Sequence, residues 1–555
     1  MSDGDETSCL LHEDERPIDI RRRPLKLTQM GSPPPRLKKD VVQLKTVLQW
    51  AKAIAICLAF LSGFLTFAWH RRQRSTEFLA ESAAFTIVDK CDLRTYPLKH
   101  VGELTELNLS GCEHTNLPAD SEFWSRFSSL KKIDLNNNSL TDLPEEMAVL
   151  SSLEILFLSE NVMESIPTVI SKLSNLRVLS LRGNLLKDLS ATNLPTSSLV
   201  WLILTNNRIR QIHSNIGEAR LLRKLMLSHN RIESVPTELG KCKELELVRL
   251  ADNNINKSIP REVLSLPKLA WISLSGNPIF VTPQSVEKVI NESEIQMTPK
   301  ILGNGASGTV YQAKYQDKDV AVKIFKEGSK GSDGNAADEA GINALVDHSL
   351  AISAIGIIKE GKDEAYKGMV MTLLSDAFPL GKAPNFDTVT RDEGPSPHST
   401  NLTEDQILSV MWNIVSVLNY IHSSLGVSHG DIYLHNVLRD DLFTARLSDW
   451  GASFVYDRRH IELAGMFERI EVLAFGRLVQ DLLDWHLGMA MQDLPGPMKE
   501  LLASAIQPDQ ASRPGFRVIK DTLGGMIWER HLTLRQMELE TERRRRAESS
   551  PVVLT

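Results

Sequence analysis

A glycine-rich stretch and five residues whose types suit phosphoryl transfer follow in order between positions 303 and 449: Lys323, Glu339, the pair Asp431 and Asn436, and Asp449. Gly303, Gly305 and Gly308 let a hairpin backbone approach triphosphate oxygens without side-chain obstruction, and Lys323, on a β-patterned run, can neutralise charge on the α- and β-phosphates. His429-Gly430-Asp431, followed five residues later by Asn436, sets a carboxylate and an amide on one loop, the first to orient an acceptor hydroxyl, the second to hold Mg²⁺. Asp449-Trp450-Gly451 offers a second metal-binding carboxylate. Glu339, in the helix-patterned DEAGINALVDH, is placed to pair with Lys323. A lone glycine-rich loop is more often a plain turn; five matches in chain order point to ATP as the phosphate source.

These elements resemble the eukaryotic-type protein kinase family over residues 295–530. The resemblance implies a bilobal α+β fold, with Asp431, Lys323 and Glu339 as catalytic residues, Asn436 and Asp449 as Mg²⁺ ligands, and ATP also held by Gly303, Gly305, Gly308, Val310 and Ala321. Met369 to Leu374 looks like the strand and hinge that receive adenine, contributing Met371, Thr372 and Leu374, with Met371 guarding the back pocket. Glu471 to Leu483 resembles the helix anchoring the large lobe, and the segment around Arg513 its closing piece.

Several positions depart from the family pattern. Gly430 stands where many members carry an arginine that reads activation-loop phosphorylation, and Tyr433 where serine/threonine kinases usually carry a lysine. Trp450 replaces a phenylalanine. Only 21 residues separate Asp449 from Glu471 and no Ala-Pro-Glu segment is present, so the peptide-docking platform is abbreviated and Glu468 becomes the candidate partner of Arg513. The expected activity is transfer of the ATP γ-phosphate to protein hydroxyls, serine or threonine before tyrosine. The alternative is a membrane-anchored scaffold with a nucleotide-binding pseudokinase domain.

Upstream, LxxLxLxxN recurs from residue 104, closing on Asn138, Asn161, Asn184, Asn207, Asn230, Asn253 and Asn277 at steps of 23, 23, 23, 23, 23 and 24 residues. That period is the signature of leucine-rich repeats, predicting an α/β horseshoe solenoid of eight turns over residues 86–283. Leu143-Pro144, Ile166-Pro167, Val235-Pro236 and Ile259-Pro260 resemble the intracellular repeat class. Its inner face is expected to take a protein ligand, with Trp201, Met226 and Trp271 as a candidate patch and a solvated face as the plainer alternative. The arc is expected to rest near the small lobe, recruiting substrate or gating the cleft.

Ala53 to Trp69 is 17 residues without Asp, Glu, Lys or Arg, and Trp50 and Trp69 lie about 28 Å apart along a helix. One transmembrane helix over residues 47–69 is therefore expected. Basic residues before the span lean toward a cytosolic N-terminus, whereas ATP supply, the repeat class and Asn401 inside the kinase region lean toward cytosolic repeats and kinase; the latter is the reading adopted. No second apolar stretch lies between repeats and kinase, so the two share one side of the membrane.

Residues 1–46, with acidic then basic blocks, read as disordered, and 531–555 as a charged, helix-prone tail. Five cysteines in 555 residues argue against a disulfide framework, although Cys91 and Cys112 flank the first repeat and suit a cap disulfide. A hydrophobic content of 42% supports real cores, and a net charge of −7 without a recognised binding module gives no ground for nucleic-acid binding. Substrate, membrane compartment and oligomeric state have no sequence signal.

Overall fold

The computed structural model describes residues 91–92, 101–280, 288–305, 307–326, 334–360, 365–374, 376–399 and 401–548. The expected transmembrane helix and the expected disordered N-terminus lie outside these residues; no described helix is long and apolar enough to cross a membrane. Every described residue except Cys91 and Asp92 falls in one compact unit. Cys91 and Cys112 are each disulfide-bonded.

The asparagine-closed repeats fold as an eight-stranded parallel sheet of three-residue strands: β1 (Glu106–Asn108), β2 (Lys132–Asp134), β3 (Ile155–Phe157), β4 (Val178–Ser180), β5 (Trp201–Ile203), β6 (Lys224–Met226), β7 (Leu247–Arg249) and β8 (Trp271–Ser273). Each strand buries its central apolar residue, such as Leu156, Leu202 or Val248, on one face, and turns the flanking residues to the other. The asparagines explain the strict spacing. Asn207 donates from Nδ2 to the carbonyls of Leu181 at 2.9 Å and Leu204 at 3.1 Å, and accepts from Leu186 N at 3.0 Å, so one side chain satisfies backbone from two adjacent turns. The preceding residue is left-handed in each turn, from Asn137 (φ 53°) through Asn206 (φ 57°) to Gly276 (φ 68°).

The kinase-like region starts with a five-stranded antiparallel sheet ordered β9-β10-β11-β13-β12: β9 (Ile295–Asn304), β10 (Gly308–Tyr315), β11 (Lys318–Phe325), β12 (Ala354–Glu360) and β13 (Ala365–Thr372). Helix α1 (Ala336–Leu345) packs on it, capped by Asn335, whose side chain accepts from Asp338 N at 2.9 Å. The larger, helical part is built on α2 (Glu404–Tyr420), α3 (Ile461–Leu487), α4 (Gly496–Ala505) and α5 (Phe516–Glu548). A Thr403–Gln406 capping box starts α2. The hairpin β14 (Val437–Arg439) and β15 (Ala445–Leu447) carries the catalytic-type loop. Helix α5 runs unbroken across residue 530, so the expected tail boundary falls inside one helix.

The repeat sheet does not merely lie near the small lobe. Trp201, Met226, Leu247 and Trp271 share one hydrophobic core with α2, α3 and α4 of the large lobe. The small lobe is touched at the N-terminus of α1, where a β-carbon on Gly276 would lie 3.0 Å from Asn335 Nδ2. The solvated-face reading is thus corrected: Trp201, Met226 and Trp271 are 4%, 0% and 1% exposed, and what covers them is the chain's own large lobe.

Candidate active site

Register places the nucleotide-type residues together. Val310 on β10 faces Lys323 on β11, Ala321 pairs with Met371 on β13, and Thr372 pairs with Val320. Gly303 on β9 pairs with Val310, and Gly305 N donates to Gly308 O at 2.9 Å, closing the glycine hairpin. A β-carbon on Gly308 would collide with the carbonyl oxygen of Ile324, so this position requires glycine. Ala321 and Met371 belong to one apolar cluster against which Val310, Leu374 and Leu438 pack. Leu438, on β14, closes this patch from the large lobe; the sequence reading missed it because a leucine in a short strand carries no chemical mark.

Lys323 Nζ bonds Glu339 Oε1, and both side chains are nearly buried. Burial raises the Glu339 carboxyl above its usual range, opposed by Lys323 and reinforced by Asp449. Asp449 is exposed and left-handed (φ 61°), and its Oδ1 accepts from Gly451 N at 3.2 Å. Trp450 fills the space beneath: it is fully buried, donates from Nε1 to Ile352 O at 2.9 Å, and its ring lies 4.8 Å from that of His429.

On the loop, Asn436 donates from Nδ2 to Asp431 O at 2.9 Å and to Asp431 Oδ2 at 2.8 Å. Its amide oxygen and the Asp449 carboxylate are hard oxygen donors of the kind that suits Mg²⁺, and these two residues would hold the ion together with phosphate and water. When bound, that ion would neutralise charge on the transferring phosphoryl group. Glu471 of α3 anchors the loop from below, accepting from Gly430 N at 2.5 Å and meeting His422 Nε2 at 2.6 Å. Burial would raise the Glu471 carboxyl, but His422, His429 and the Gly430 amide hold it low. Burial keeps His429 below the usual imidazole range.

A second residue that sequence reasoning missed comes from the repeats. Arg249 on β7, wholly buried, donates from Nη1 to Gly430 O at 2.7 Å and from Nη2 to Asp431 Oδ1. Beside it Trp271 stacks on Tyr433, centroids 4.6 Å apart and planes 5° apart, and donates from Nε1 to Ile432 O at 3.0 Å. In the sequence Arg249 is only a polar residue between strand leucines, and no local pattern links it to a loop 181 residues away.

Arg513 does not pair with Glu468. Its guanidinium donates to three carbonyls, Gln507 at 2.7 Å, Arg469 at 3.1 Å and Pro267 of the repeats at 2.8 Å, and burial pushes it down to about 10. Glu468 accepts instead from Phe516 N at 2.7 Å. A carboxylate partner is superfluous where three carbonyls converge on the fork of donors.

Comparison with known proteins agrees with this geometry. The protein kinase domain model matches residues 297–466, and the leucine-rich repeat model residues 128–186 and 220–279. A probable serine/threonine-protein kinase of Dictyostelium discoideum is 30% identical over 192 residues, 34% of this chain and 13% of that protein. Wall-associated receptor kinase 5 of Arabidopsis thaliana is 23% identical over 235 residues, 39% of this chain and 30% of the relative. A dual specificity protein kinase of D. discoideum is 25% identical over 304 residues, 44% of this chain and 54% of the relative. The chain therefore spans about half or less of the length of these relatives. The chain carries leucine-rich repeats followed by a protein kinase domain.

Proposed function

We propose that this chain is an ATP- and Mg²⁺-dependent protein kinase that phosphorylates serine or threonine hydroxyls, anchored by one span at Ala53–Trp69, with a horseshoe of repeats that takes a protein partner. The observation that carries the catalytic part is the assembled Lys323–Glu339 pair facing exposed Asp449, with Asp431 and Asn436 joined on the loop below. In this reading Lys323 positions the α- and β-phosphates, Glu339 holds Lys323, Asp431 accepts the hydroxyl proton, and Asn436 and Asp449 hold the metal. The partner would engage the repeat face in competition with the large lobe.

Full-length protein is incubated with γ-labelled MgATP and a generic protein substrate, beside Asp449→Asn. Label transferred by the unaltered chain and lost in the variant supports the reading. Absence of transfer in both, with ATP still bound, transfers support to the nucleotide-binding scaffold, which the covering of Asp431 favours.

The cytosolic placement of repeats and kinase rests on ATP supply. The disulfide state of Cys91 and Cys112 favours the opposite orientation, in an oxidising compartment. Glycan attachment at Asn401 in intact cells would establish that second orientation; protease access to residue 401 from the cytosol would exclude it.

A further inference from the structure

Three departures from the kinase pattern meet at one surface, and the repeat domain uses all of them. Gly430 is left-handed (φ 77°), and a β-carbon there would lie 2.8 Å from Ile272 O on β8, so the arginine usual at this position would prevent the sheet from docking. Tyr433, in place of lysine, forms the platform for Trp271. The segment between Asp449 and α3 is only residues 450–460, and α3 begins directly at Ile461. Against this short segment and α3, Phe280 of the last repeat packs on Phe454 and Phe467, and Pro267 O receives Arg513.

The consequence falls on Asp431. Oδ1 is taken by Arg249 and Oδ2 by Asn436, and the side chain is 4% exposed. An acceptor hydroxyl must reach this carboxylate at hydrogen-bond distance to be oriented, and in this arrangement a guanidinium and an indole stand in its way. On the nucleotide side the Lys323–Glu339 pair is intact and Asp449 is exposed; the repeats approach this lobe at the N-terminus of α1, around Asn335.

Resting on the kinase reading above, we infer that the repeat sheet is an internal inhibitor directed at the protein acceptor and not at ATP, with Arg249 as the group that occupies Asp431 and Trp271 as the wedge beside it. A protein bound on the repeat face and an acceptor bound at Asp431 are then thermodynamically coupled, because both require the same two surfaces to part.

The test uses the full-length chain in detergent micelles with MgATP and casein, comparing the unaltered protein with Arg249→Glu, Arg249→Lys and Trp271→Ala. Hydrogen exchange of the amides in residues 428–437 reports whether the cover has lifted. Arg249→Glu sets like charges together and is expected to speed that exchange and to raise transfer roughly tenfold or more with the KM for ATP unchanged. Arg249→Lys keeps the cation but not the two-armed fork, and is expected to fall between the unaltered protein and Arg249→Glu. If Arg249→Glu does not fold, Trp271→Ala gives the same readout through packing alone. Faster exchange with unchanged or diminished transfer, in a protein that is active to begin with, overturns the inference and makes Arg249 a residue that serves catalysis; the kinase reading survives that result. Silence in every protein, with exchange accelerated and ATP bound, overturns the kinase reading and the inference with it.

Discussion

The α-carbon of Gly430 faces the carbonyl oxygen of Ile272 so closely that a β-carbon would sit 2.8 Å from it, and 2.6 Å from Ala452 O on the other side. One residue is thus clamped between the kinase's own loop and a strand of another domain. Gly430→Ala is expected to cost about 1–3 kcal/mol, from the left-handed backbone and from the displaced carbonyls. Denaturant unfolding would measure it, and an unchanged midpoint would mean that the sheet is not seated against the loop.

Glu246 gathers the interface charge: Arg223 Nε at 3.1 Å, Arg477 Nη1 at 3.4 Å, and the Thr390 hydroxyl. Burial would raise its carboxyl, but Arg477, Arg223 and Thr390 outweigh that and hold it below the usual range. A depressed folded-state pKa means stability that is fully present above the unfolded value, about 4.3, and lost as pH falls through the lower folded one. Glu246→Gln should therefore cost about 2–5 kcal/mol near neutrality, leaving two arginines without their anion. Melting temperatures of the two proteins should converge in acid; a constant gap would contradict the assignment.

Lys323→Met should remove nucleotide turnover and also destabilise the fold by about 3–5 kcal/mol, because Glu339 is left buried without its cation. The Glu339 carboxyl is already raised by burial. In the variant the deficit should accordingly shrink as pH falls toward and below the ordinary carboxylate range and grow as pH rises through the folded value. Calorimetry across pH checks the sign, and the double change Lys323→Met with Glu339→Gln should recover most of the loss.

Asn207→Leu keeps the branched shape but removes the bonds to backbone of adjacent turns; it orphans the amide of Leu186, whereas the Leu181 and Leu204 carbonyls keep Asn184 and Asn230 as donors. A loss of about 1–3 kcal/mol is expected. Chemical denaturation would reveal it, and exchange should accelerate in the neighbouring turns before it does in the kinase sheet.

Much of this was legible in local order. The spacing of the asparagines predicted strand, turn and period, because each side chain bonds backbone at fixed offsets. The order Lys323, Glu339, Asp431, Asn436, Asp449 predicted a set that the structure brings together, because β11, α1 and one loop position them. Less legible was everything that depends on two distant segments meeting. Tyr433 and Gly430 read as odd residues in isolation; their sense comes from Trp271 and Ile272, about 160 positions upstream. For Arg513 the sequence offers Glu468 only as a candidate partner, whereas the carbonyls that hold it leave no trace in side-chain identity.

Helix α3 begins directly after an eleven-residue segment, at Ile461, and so consumes the length of chain on which a kinase could carry a lasting phosphate mark. Control through a docked domain has a different temporal character. Nothing covalent has to be erased, so the molecule would return to rest as soon as its partner departs, reporting present occupancy and storing no record of past signals.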